Sequence, residues 1–130
     1  AGRSPESLAR QRAVWAHGAL EPGENAVFRD EAFHLSLAHA SGNRALEAIL
    51  EGVNARIRLV RVHDFFDRAR IEATRRQHLA VLDAVEDGDA DRAAALMEAH
   101  IVESQRNVSR AASRALAELW TGIGGADEPV

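Results

Sequence analysis

The stretch FRDEAFHLSLAHASGN, Phe28 to Asn43, decides the fold. Its apolar residues recur at helical spacing. Ser41-Gly42-Asn43 then ends the helix, with Gly42 supplying a left-handed stop and Asn43 a cap for the next one. On one flank Asp30 and His34 stand one turn apart and can turn to the same side. Outward from this stretch helical periodicity persists, no long segment alternates with period two, and β-branched residues are sparse.

Ser4-Pro5 reads as an N-cap followed by proline in the first turn, which opens a helix to about Ala19. Glu21 to Asn25 (EPGEN) is a loop, and the second helix runs from roughly Asn25 to His39. The third covers about Arg44 to Asp64, with Leu46, Ile49, Leu50, Val53, Ile57 and Val60 as its expected buried stripe. Asp64 to Arg70 (DFFDRAR) reads as irregular. Thr74 to Gln77 (TRRQ) fits a capping box that starts the fourth helix, with Thr74 as N-cap and Gln77 reaching back. Gly88 breaks that helix. The last one runs from about Ala90 to Trp120, and residues 121–130 read as a frayed tail. The prediction is all-α: an antiparallel bundle of about five helices in one domain spanning 1–130, with a ligand cavity in its interior.

Composition narrows the function. The formal charge is −4 and all 16 basic residues are arginine. A nucleic-acid surface needs a clustered positive excess, so this segment alone is not expected to bind DNA or RNA. Cysteine is absent, which removes disulfides and thiolate ligands. The apolar runs are too short to span a bilayer and the first residues lack a signal-peptide profile, so the expected compartment is the cytoplasm. The acidic run Asp87, Asp89, Asp91 and Glu98 imitates a calcium loop, but Arg92 stands where the turn needs glycine. It reads as helix capping.

Six histidines are present. His78 and His100 lie about equally far from the turn at Gly88, roughly 15 Å along each helix. In an antiparallel hairpin they are level, and each shares a face with apolar residues. Asp30 and His34 lie at a similar depth, roughly 12–18 Å from the turn at Gly42. One carboxylate and three imidazoles can therefore converge and hold a divalent ion such as zinc, nickel, manganese, iron or cobalt. The plainer alternative is hydrogen-bonded core histidines with Asp30 as a surface charge. Both readings stand on spacing alone. His17 and His63 fall near helix C-terminal ends, and His39 points elsewhere.

DEAFHLSLAHASGN followed by RRQHLAVLDAVEDGDADRAAALMEAHI resembles the effector-binding C-terminal (FCD) domain of FadR-type GntR-family transcription regulators. The shared pattern is Asp-x3-His, Ser-Gly-Asn, a His opening an apolar run, Gly-Asp, and a final His. The spacings between the four ligand types are 4, 44 and 22 residues. The resemblance implies a helical bundle, which in that family has six to seven helices. It implies a divalent metal, such as Zn, Ni, Mn or Fe, held by Asp30, His34, His78 and His100, as in the metal-binding branch. It also implies a small carboxylate or sugar-acid effector and a homodimer. DNA would be read only through an N-terminal winged helix that this sequence does not contain. The family's first helix is also missing or shortened, so the chain reads as an effector domain cut from a longer regulator.

An acid docked on such a metal needs a second cation. Arg56, at the edge of the third helix's stripe, is the expected one; Arg61 flanks the other edge and Arg58 is expected to point out. Ser104 and Asn107 share the inward face with His100 and can hydrogen-bond the effector. The competing readings are a mononuclear metal hydrolase or oxygenase, and a purely structural dimerisation bundle. Hydrolysis wants a general base beside the bound water, and Glu31 is turned about 100° from Asp30 on a helix. The expected protein is therefore a sensor and not an enzyme.

Overall fold

The computed structural model describes residues 5–17, 21–65 and 67–125. Five helices account for nearly all of them: α1 (Pro5–Ala16), α2 (Glu24–Ala40), α3 (Arg44–Asp64), α4 (Arg68–Glu86) and α5 (Ala90–Gly125). No strand occurs among the described residues. The fold is the all-α bundle read from the sequence.

The turns follow local chemistry. Gly42 (φ 75°) and Gly88 (φ 72°) adopt the left-handed conformation that only glycine enters at little cost. Asn43 accepts from the N–H of Leu46 at 3.0 Å and starts α3. Asp89 accepts from the N–H of Arg92 at 3.1 Å, so the acidic run does cap a helix.

Three expectations about boundaries change. The irregular segment is shorter than expected, because α4 already begins at Arg68 with Asp67 as its N-cap, accepting from the N–H of Ala69 at 3.0 Å. Thr74 is therefore no N-cap; it is fully buried in the middle of α4, and Gln77 reaches across to α5. A capping-box pattern inside a helix carries no signal once an earlier aspartate starts that helix. Residues 121–125, expected to fray, continue α5. The proposed Ser4 cap, the end of the first helix at 18–19 and the tail beyond 125 lie outside the described residues.

Packing forms a closed ring: α1 on α2, α2 on α3, α3 on α5, α5 on α4, and α4 on α1. The main core joins Leu8 and Trp15 of α1, Phe33 of α2, and Val81 and Leu82 of α4. A second cluster, Ala26, Val27, Phe65 and Ile71, closes the other end. There the N–H of Gly23 donates to the carbonyl of Phe65 at 2.8 Å. Arginines fasten α1 to α4. Arg75 donates to the carbonyls of Trp15 (2.8 Å) and Ala16 (2.9 Å), satisfying acceptors that a helix end leaves open. Arg12 pairs with Asp83 at 2.8 Å and Glu86 at 3.0 Å.

The stripe of α3 does not behave as expected. Leu46, Ile49, Val53, Ile57 and Val60 are exposed, Ile49 to 65%. Leu50 is half-buried. The ring gives α3 two neighbours, α2 and α5, and leaves this apolar face outside. Periodicity identifies a face meant for burial without saying what covers it.

Candidate metal centre

Three helices of the ring send four side chains toward one point. Asp30 and His34 come from α2, His78 from α4 and His100 from α5. One ligand atom from each lies within 4.8 Å of all the others. Asp30, His78 and His100 are buried and His34 is mostly so.

The Asp30 Oδ1 atom is 3.1 Å from His78 Nε2 and 3.4 Å from His34 Nε2. His78 Nε2 is 3.2 Å from His100 Nε2. Two metal–ligand bonds of about 2.1 Å, opened to between a right angle and a tetrahedral angle, put their donor atoms about 3.0–3.4 Å apart. These three separations suit neighbouring ligands of one small cation. The chemistry of the donors agrees. Asp30 Oδ1 is buried without a hydrogen-bond partner, and an acceptor left in that condition is costly unless a cation faces it.

Electrostatics keeps these groups in ligand form. Burial pushes Asp30 up, but His34, the close approach of the His34 and His78 ring nitrogens, and the charge of Arg61 outweigh it. The carboxyl is held well below its usual range. Burial lowers His78 to about 4 despite the pull of Asp30. Burial, with His78 and His34 nearby, lowers His100 to about 3. Both imidazoles are thus neutral at pH 7, with a lone pair available.

Aromatic walls fix the rings. Phe33 stacks on His78, and Trp15 meets the same ring edge-on at 4.2 Å between centroids. Beyond the ligands, Arg61 Nη2 donates to Asp30 Oδ2 at 3.0 Å. Arg58, expected to point out, instead grips Glu31 with two hydrogen bonds of 2.9 Å each, and its guanidinium lies over Phe28. Glu31 is thereby turned away from the centre.

Arg56 stands exposed on α3, and the α3 arginine that reaches the centre is Arg61. Ser104 is buried on α5, where its hydroxyl accepts from Arg70 Nη2 at 2.6 Å; Asn107 is half-buried one turn further on. A cleft of about 290 Å³ between α3 and α5 has Ile57, Val60, Arg61, Ile101 and Ser104 among its lining residues. His39 is exposed and pairs with Glu47 at 3.2 Å, and His17 is exposed just past α1. The side chain of His63 lies outside the described residues.

Gln77 was missed. Its Oε1 lies 2.6 Å from His100 Nδ1. The signal was available, because Gln77 and His100 are equally distant from the Gly88–Asp89 midpoint and so level in the hairpin.

The fold and site define a helical bundle with a buried group of one carboxylate and three imidazoles at its axis. The FCD domain family matches residues 3–103. The chain belongs to that family, the effector-binding domains of GntR-type transcription regulators. No curated protein and no solved structure matches it.

Proposed function

We propose that this domain senses a small organic acid through a divalent transition metal held by Asp30, His34, His78 and His100. The observation that carries the reading is the approach of those four ligand atoms to within 4.8 Å of one another in a buried setting. A metal ion there supplies a Lewis-acidic docking point for a carboxylate. Zinc, nickel, manganese and iron all suit the donor set.

The chain's own residues do the remaining work. Asp30 and the neutral imidazole of His100 present lone pairs without first losing protons. Arg61 stands beside Asp30 as the inner cation for an incoming anion, and Arg56 as an outer one on α3. Ser104 and Asn107 offer hydrogen bonds from α5. Arg61 and Ser104 also line the mainly apolar cleft between α3 and α5, where an acid would meet both. Binding of an acid changes regulation only if it favours one arrangement of the helices over another. With Glu31 held by Arg58, no carboxylate other than Asp30 is seen at the centre among the described residues, which favours a sensor over a hydrolase.

In this reading the domain works in the cytoplasm as a homodimer and acts on DNA through a winged helix elsewhere in a regulator. No helix among the described residues is long and apolar enough to cross a membrane.

The test is metal analysis of the purified protein followed by a thermal-shift screen of small carboxylates, with and without chelator. One acid should raise the melting temperature only when metal is present. Purified protein that takes up no transition metal on reconstitution ends the proposal.

A further inference from the structure

Both nitrogens of His100 have partners, and the outer one decides what the inner one can do. Nδ1 faces Gln77 Oε1 at 2.6 Å, while Nε2 faces the centre, 3.2 Å from His78 Nε2. The other end of the Gln77 amide, Nε2, donates to Glu103 Oε2. A carboxylate oxygen accepts and does not donate, so the amide must turn its NH2 to Glu103 and its oxygen to His100. That oxygen can only accept, so the hydrogen of the Gln77–His100 bond sits on His100 Nδ1. A neutral imidazole has a single N–H. The Nε2 lone pair is therefore bare and aimed at the metal ligands.

Glu103 faces a buried arginine at ion-pair distance. Arg70 Nη1 lies 3.9 Å from Glu103 Oε1, and Arg70 Nη2 donates to Ser104. A hydrogen-bond chain of fixed polarity thus runs Glu103, Gln77, His100. His78 differs, since its Nδ1 is buried with no hydrogen-bond partner.

We propose that Gln77 is the positioning residue that locks His100 in its Nδ1–H tautomer, presenting Nε2 to the metal, and that Glu103 fixes the sense of the Gln77 amide. This rests on the metal reading above for its consequence, but not for its hydrogen-bond logic. A carboxylate or amide on the outer nitrogen of a ligating histidine sets ring orientation and basicity, and its loss weakens metal affinity by about 10–100-fold.

Two variants test it. Gln77→Met keeps the length and removes both hydrogen bonds. The double variant Gln77→Glu/Glu103→Gln exchanges the groups, so a carboxylate accepts from His100 and an amide faces back toward it. The first readout is the ring nitrogen shifts of His100 by NMR in metal-free protein. Wild type and the exchange variant should show the Nδ1–H tautomer, and Gln77→Met a mixture. The second is zinc affinity by competition with a chromophoric chelator. It should fall about 10–100-fold in Gln77→Met and stay close to wild type in the exchange variant. Unchanged tautomer and affinity in Gln77→Met would overturn the proposal. So would an exchange variant that loses as much as Gln77→Met, because that pattern marks packing and not hydrogen bonding. If wild type binds no zinc, the metal reading fails, and the tautomer measurement still decides the role of Gln77.

Discussion

Phe33 lies flat against His78, with ring centroids 3.7 Å apart and planes 7° from parallel. The residue beside it in sequence is His34, which the structure places in the same ligand group as His78. One turn of α2 therefore supplies two ligand candidates, Asp30 and His34, and the plate that orients a third. Phe33 is also fully buried in the main core.

Phe33→Ala should cost about 3–5 kcal/mol of stability, the usual loss for a buried phenylalanine. That is a large share of the about 5–15 kcal/mol a domain commonly has. Urea unfolding measures the loss. Phe33→Leu refills most of the space without restoring the flat face. It should recover much of the stability but bind zinc more weakly than wild type. Equal zinc affinity in Phe33→Leu would show that stacking does not orient His78.

Arg61 and Asp30 give a second prediction. Asp30 is buried and its Oδ2 accepts from Arg61. Arg61→Met keeps much of the volume over Phe65 but leaves the carboxylate's charge without that partner. Breaking a buried pair from one side commonly costs about 3–5 kcal/mol. A metal ion binding Asp30 would restore a positive charge next to it. Zinc should therefore raise the melting temperature of Arg61→Met by more than it raises that of wild type. An equal rise in both would show that Asp30 does not gain from the metal.

The helices and their turns could be read from the sequence because their causes are local. Gly42, Asn43 and Gly88 act within a few residues, and α3 appears with the bounds assigned to it. The grouping of Asp30, His34, His78 and His100 could be read because two short turns set the register of two hairpins. What could not be read depends on neighbours that spacing does not name. Thr74 carries the pattern of a cap, yet Asp67 starts the helix first. Arg56 and Arg61 both edge the same stripe, and only the position of α2 decides which of them reaches Asp30.

Acid should destabilise the metal-free protein. The folded-state pKa of His78 (about 4) and of His100 (about 3) lies below the unfolded value near 6.5. Protons then favour the unfolded chain. The contribution is fully present above about pH 6.5 and is lost as the pH falls through about 4 and then about 3. Asp30, also held low, works in the same direction below its ordinary carboxylate range. Melting temperatures should be flat with respect to these groups from pH 7 to 8 and decline below about 6.5. Double replacement of His78 and His100 by glutamine should flatten the upper part of that decline. A slope unchanged between about pH 6.5 and 4 in the double variant would assign the effect to other groups.

The outer face of α3 yields the last prediction. Leu46, Ile49, Val53, Ile57 and Val60 are all exposed, on one helix and at one spacing. Further along, α5 has 36 residues against 19 in α4, so it projects roughly 25 Å beyond its partner at about 1.5 Å per residue. Leu116, Leu119 and Trp120 are exposed on it. Contiguous apolar surface of this kind marks contact with another chain. In the homodimer proposed above, the α3 stripe is the surface to be covered. Ile49→Asp places a charge at its most exposed member, where the least packing within the bundle is disturbed. The variant should retain the helical signal and the metal content of wild type while sedimenting as a monomer. If wild type itself sediments as a monomer across the micromolar range, the stripe is covered by something other than a second copy. If Ile49→Asp remains dimeric, the pairing surface lies elsewhere, and the projecting end of α5 is the next place to change.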